Sequence, residues 1–149
     1  MDFNKLARLP ILNRLPQDVL EIVFRTGEVK QVKAGDILSR EGAQACHVIW
    51  ILSGRAKTSV ENINGEETVI DIISQGAKVG LAEVCEEGAY CLSVQVLEDS
   101  VIFQLPKAEF LSLLEEQFDL QMAVFANISV EMRGAVREIN DLKLKNTSR

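Results

Sequence analysis

Histidine and cysteine, which most often carry metal, nucleophilic and redox chemistry, are scarce in this chain. It has one histidine, His47, and three cysteines, Cys46, Cys85 and Cys91, among 149 residues. A single histidine excludes a multi-histidine metal site and leaves any Ser-His-Asp triad to be built on His47 alone. Three cysteines are an odd number without C-x-x-C spacing, which argues against structural zinc and against the disulfide framework of a secreted domain. Basic charge is short as well. Sixteen Lys and Arg face 22 Asp and Glu, a net charge of -6, the wrong sign for a surface that grips phosphates broadly. No apolar run approaches the ~20 residues of a membrane span, and the N-terminus MDFNKLARLP has no apolar signal stretch. These absences point to a cytoplasmic, non-membrane domain and make catalysis the weaker class of function.

What is present is one ordinary globular composition, 47% hydrophobic and 26% charged. At this length a single core buries roughly 70% of the unfolded surface. Residues 1–27 read as N-terminal helices: Leu6, Leu9, Leu12 and Leu15, then Pro16 at a helix start, with Val19, Leu20, Val23 and Phe24 at helical spacing up to Gly27. Residues 28–117 change texture to short β-type runs broken by glycine turns at Gly35, Gly42, Gly54, Gly65, Gly76 and Gly88. Spacings near 8–12 residues predict a sandwich or small barrel. The best strand is residues 47–52, and residues 55–63 and 66–73 read as a hairpin turned on Asn64-Gly65, a dipeptide that tolerates positive φ at both turn positions.

After Pro106 the period becomes helical. Phe110, Leu111, Leu113 and Leu114 predict a short helix, and residues 118–149 a long one with its exit segment. Along the long helix Phe125, Ile128, Met132, Ala135, Ile139 and Leu142 recur at steps of three and four, a seam that wants a partner helix. A parallel homodimer is the expected use, with packing on the chain's own barrel as the plainer alternative. Gly134 inside the seam costs roughly 1 kcal/mol of helix propensity and suits a close approach between helices.

Two stretches carry a family likeness: Lys33-Ala34-Gly35-Asp36-Ile37-Leu38-Ser39-Arg40-Glu41-Gly42, and Trp50-Ile51-Leu52-Ser53-Gly54-Arg55-Ala56-Lys57. With Leu97-Glu98-Asp99-Ser100, Leu105-Pro106 to Phe110 and the long helix, the chain from about residue 12 onward resembles the CRP/FNR transcription regulators. The resemblance implies a mainly β fold with flanking helices, a double-stranded β-helix or jelly roll of the cyclic-nucleotide-binding type. It also implies a long dimerisation helix, after which the family carries a helix-turn-helix. Residues 143–149 resemble the hinge before that domain, so this chain without it is expected not to read DNA sequence by itself.

Nucleotide-binding members of the family show G-E-[LI]-A, about five residues, then P-R-[SA]-A-T. A cyclic-phosphate pocket needs a tight turn of backbone N–H groups, an Arg for the phosphate and a Glu for the ribose hydroxyl. Here Gly80 matches the turn glycine, Leu81 stands for the ribose-binding Glu, Ala82 follows, Ala89 replaces Pro, Tyr90 replaces the Arg, and Ser93 keeps a hydroxyl. Tyr90 either stacks on a ligand or fills the vacated Arg space. Glu83, Glu86 and Glu87 add repulsion against an anion, and the adenine-reading hydroxyls of relatives fall at Ala135 and Val136. Cyclic AMP and cyclic GMP are therefore not the expected ligands. The expected pocket is formed by Gly80, Leu81, Ala82, Glu83, Ala89, Tyr90, Cys91 and Ser93 with Met132, Ala135 and Val136 from the helix.

Family members without those charged anchors resemble the redox- and gas-sensing branches. Three cysteines cannot hold a four-cysteine iron–sulfur cluster. Haem ligation remains open through His47, Cys46, Cys85, Cys91 or Met132, although His47 also reads as an ordinary strand residue and Cys85 and Cys91 as small buried apolar groups or a redox-responsive thiol pair. The sequence predicts no resident metal and no enzyme, since a cupin-type site needs two or three histidines. The expected function is an effector-sensing, homodimeric regulator domain with a degenerate nucleotide pocket. Atypical cyclic-nucleotide binding and a ligand-free dimerisation module are the alternatives.

Overall fold

The computed structural model describes residues 2–147; Ser148 and Arg149, the end of the expected hinge, lie outside the described residues. A short helix α1 (Asp2–Leu6) and a 3-10 turn (Leu12–Arg14) precede α2 (Gln17–Thr26). The leucine spacing predicted helix over this stretch, but Pro10 interrupts it: proline has no N–H to donate, so the chain turns and Ile11 takes φ 74°. The leucines are still used, since Leu6, Leu9 and Leu12 are all buried. Pro10 also offers its carbonyl to the Trp50 indole N–H at 3.1 Å, which satisfies the one polar atom of that buried ring.

Eight strands follow: β1 (Glu28–Val32), β2 (Ile37–Ser39), β3 (His47–Ser53), β4 (Ala56–Glu61), β5 (Glu67–Ile73), β6 (Lys78–Val79), β7 (Ser93–Val96) and β8 (Ser100–Pro106). They form two four-stranded antiparallel sheets, ordered β1-β8-β3-β6 and β2-β7-β4-β5. This is the mainly β jelly roll. The continuous apolar run of β3 has a simple cause, because the strand is covered on both faces. Val48, Trp50 and Leu52 face the helices together with Phe103, Leu105, Phe110 and Leu120. Ile49 and Ile51 face the opposing sheet with Val94, Val96 and Ile102. Each such side chain contributes about 1.5–3 kcal/mol of hydrophobic transfer.

The β4–β5 hairpin differs from a two-residue Asn-Gly turn. Only Gly65 has positive φ, and the loop is organised by Asn62, whose Oδ1 accepts from the N–H groups of Asn64 and Glu66, each at 2.9 Å. An Asx side chain thus replaces the strained backbone turn. Further along, Thr58 pairs with Asp71 and Ser59 with Val69, leaving a bulge at Ile70 on the edge strand.

Helix α3 (Leu81–Cys85) lies in the β6–β7 connection, and α4 (Lys107–Glu116) leads into α5 (Phe118–Thr147), the 30-residue terminal helix. Leu120, Ala123 and Val124 pack α5 against the roll. No helix among the described residues is long and apolar enough to cross a membrane.

Candidate functional site

The turn at Gly80 sets the site. Its φ is 86°, and a Cβ there would lie 2.7 Å from the His47 carbonyl oxygen and 3.0 Å from the Tyr90 ring, so only glycine fits. Leu81 and Val84 of α3 then point into the core, which turns Glu83 outward. Glu83 Oε2 accepts from the Cys91 N–H and lies 3.3 Å from the Cys91 thiol as well.

Between β5, β6, α3, β7 and α5 lies a cleft of about 400 Å³. Its apolar wall is Ile70, Ile73, Val79, Leu81, Val94 and Ile128. Its ionisable groups are Asp71, Glu83, Glu131 and Lys78, and among the described residues no arginine lines it. Lys78 is spoken for: its ammonium meets Glu131 Oε2 of α5 at 2.5 Å, and the lysine side chain is only 13% exposed. Cys85 and Cys91 complete the wall, and both are exposed rather than the small buried apolar groups the sequence suggests, because α3 turns Leu81 and Val84 to the core instead. Burial pushes the Cys91 thiol above its ordinary range, and Glu83 adds to that through its hydrogen bond and charge. Burial also raises Cys85, with Glu86 contributing. Both thiols stay protonated at neutral pH.

The structure divides the expected pocket residues into two groups. Gly80, Leu81, Ala82, Glu83 and Cys91 line the cleft. Tyr90 does not; it is 5% exposed, and its hydroxyl donates to the His47 carbonyl at 3.1 Å while lying 3.1 and 3.3 Å from the N–H groups of His47 and Cys46. It does not open to the cleft, and burial lifts its phenol above the usual range. Ala89 sits in a bridge with Gln44, and Ser93 faces a different depression, where its Oγ accepts from the Glu41 N–H.

Met132, Ala135 and Val136 also lie outside the cleft lining; α5 reaches it one turn earlier, through Ile128 and Glu131. The reason is geometric: residues three apart share a helix face, and α5 is no longer packed on the roll beyond that turn. The acidic set changes in the same way. Glu83 stays, Glu86 is outside the lining, and Glu87 pairs with Lys107 at 3.2 Å, while Asp71 and Glu131 take their places.

His47 and Cys46 are remote from the cleft. The Cys46 thiol lies 3.3 Å from His47 Nδ1, and His47 borders a separate depression with Lys30 and Gln104. Of the candidate haem ligands, only Cys85 and Cys91 face the main cleft, and Met132 is exposed on α5. No cluster of three or more metal-ligating side chains occurs among the described residues. Lys78 and Glu131 were not singled out by sequence; Lys78 stands two residues before the turn glycine, and Glu131 three after Ile128, which are the only local signals.

Residues 29–117 match the family model of the cyclic nucleotide-binding domain. Among curated proteins, lysophospholipase nte1 of Aspergillus oryzae is 30% identical over 122 residues, and lysophospholipase NTE1 of Phaeosphaeria nodorum is 31% identical over the same length. These alignments cover 82% of this chain but 8% of each relative, so the chain spans less than a tenth of their length. Among solved structures, the catabolite activator protein of Thermus thermophilus superposes with a TM-score of 0.77 at 17% identity, covering 90% of this chain and 63% of that one. DNR of Pseudomonas aeruginosa gives 0.75 at 20% identity, covering 98% and 65%. At such identities the likeness is one of fold, but the family match takes in both sheets, the Gly80 turn and α3: the chain belongs to the cyclic nucleotide-binding domain family.

Proposed function

We propose that this chain is the effector-sensing and dimerising domain of a CRP/FNR-type regulator whose nucleotide pocket has lost its anion-binding chemistry. One observation carries the reading: the cleft beside the Gly80 turn holds three carboxylates and no arginine among the described residues, and its lysine is already paired with Glu131. A cyclic phosphate there would be desolvated next to like charge without a free cation to compensate it. Because the cleft wall includes Ile128 and Glu131, an effector in it touches the roll and α5 together. Binding then biases the arrangement of α5 helices across a homodimer, and through them a DNA-reading domain, by population shift. The exposed seam of Phe125, Ile128, Met132, Ile139 and Leu142 supports the dimer.

Calorimetric titration of cyclic AMP and cyclic GMP tests the pocket: no micromolar binding is expected, and binding at that strength or better overturns the reading. The roughly 30% identity to the fungal lysophospholipases favours a second reading, in which the same sensor fold serves inside a much longer lipid-hydrolysing chain. The mass of the protein expressed from its own gene separates the two, since the curated relatives are more than ten times as long as the matched segment.

A further inference from the structure

The cleft does more than disfavour a cyclic phosphate; its lining describes a ligand. Ile73, Val79, Leu81 and Val94 form an apolar wall from both sheets and α3, while the ionisable groups are three carboxylates against one ammonium. That ammonium is neutralised by Glu131, which leaves Asp71 and Glu83 to set the local potential. The two thiols of the lining do not oppose this, because burial raises both and Cys85 and Cys91 stay neutral. A volume of about 400 Å³ is that of a small-molecule site, mostly apolar with a few polar groups that fix orientation.

Resting on the reading of this cleft as an effector site, we propose that it takes a small molecule with an apolar body and one positive charge, of the alkylammonium class. The tail lies along the Ile73, Val79, Leu81 and Val94 wall and gains from removing apolar surface from water. The ammonium sits among the carboxylates of Asp71, Glu83 and Glu131. Charge complementarity of this kind rejects an anion with the same tail and leaves a neutral analogue in between. Glu131 gives the site its output. It belongs to α5, so a ligand ammonium that draws its carboxylate competes with Lys78 and loosens the tie between β6 and α5.

The test is a matched eight-carbon series, octylamine, octan-1-ol and octanoate, titrated into the full chain at neutral pH and low salt by calorimetry. Octylamine is expected to bind most tightly and octanoate most weakly, with a gap of about fivefold or more that shrinks in high salt. The double substitution D71N/E83Q is expected to narrow the gap between octylamine and octanoate to about twofold or less. Octanoate binding as well as the amine overturns the charge assignment yet leaves an effector cleft standing. An amine preference that survives D71N/E83Q places the cation elsewhere and also overturns the proposal, as does binding of none of the three by chain whose circular dichroism is native. Micromolar cyclic AMP binding instead removes the underlying reading of the pocket.

Discussion

Within α5 the early turns and the later ones meet different surroundings. Leu120, Ala123 and Val124 are buried against the roll, whereas Phe125, Ile128, Met132, Ile139 and Leu142 keep about half or more of their surface exposed. The apolar spacing is the same in both parts. What differs is the partner: the first part completes the core that holds Trp50, Phe103 and Phe110, while the second projects from it. Most helical stability in proteins comes from packing of an apolar face rather than from propensity, so the projecting part depends on its attachment to the roll and on the cleft contacts of Ile128 and Glu131. A helix anchored at one end and unpacked along the other is suited to report a local change as a movement.

The sharpest way to break this contrast is Leu120→Ala. Removing a fully buried side chain is expected to cost about 2–5 kcal/mol in urea unfolding, whereas Phe125→Ala, five residues on but mostly exposed, should change the midpoint little. Equal losses at the two positions would mean that the later turns are packed after all. The seam itself is tested by Ile139→Glu with Leu142→Glu: sedimentation should move from dimer toward monomer by tenfold or more in dissociation constant, with the roll's unfolding unchanged.

Tyr90→Phe probes the anchor between the Gly80 turn and β3. Losing the hydroxyl leaves the His47 carbonyl and N–H without their partner, an expected loss of about 1–3 kcal/mol without loss of octanol binding. Lys78→Met probes the tie from roll to helix. Glu131 is 57% exposed, so solvent screens the pair, and at most about 1 kcal/mol of stability should go; a double-mutant cycle with Glu131→Gln reads the coupling directly. The smallest effect concerns the thiols. With its pKa raised in the folded state, Cys91 binds its proton more tightly there than when unfolded, so its contribution is present below the ordinary thiol pKa and fades as pH rises through the folded value. Alkylation of Cys91 should therefore lag a free thiol at mildly alkaline pH and quicken in Glu83→Gln; an unchanged rate would show that Glu83 exerts no hold on it.

The roll was legible because its signals are local. Glycine turns at regular intervals and alternation along Val94, Val96, Val101, Phe103 and Leu105 predict β structure, and the family's motifs arrange those strands into a jelly roll. The interruption at Pro10 and the Asn62-centred hairpin were harder to read, since in each a residue outside the expected motif decides the backbone. The cleft was half legible. Gly80 to Glu83 and Cys91 lie near one another in sequence, and their grouping survives folding. Tyr90, one residue from Cys91, turns the other way and is buried beneath His47, a choice made by the hydrogen bonds its hydroxyl finds there.

The sequence by itself determined the strand and helix periods, the scarcity of histidine and cysteine, and the acidic excess. Only the tertiary structure decided which acids share a cavity. Asp71 on an edge strand, Glu83 on α3 and Glu131 on α5 line one cleft because two sheets and a crossing helix bring them there, and of the three only Glu131 pairs with Lys78. Charge acts through space, and its effect depends on distances that residues far apart in the chain acquire only when the core closes.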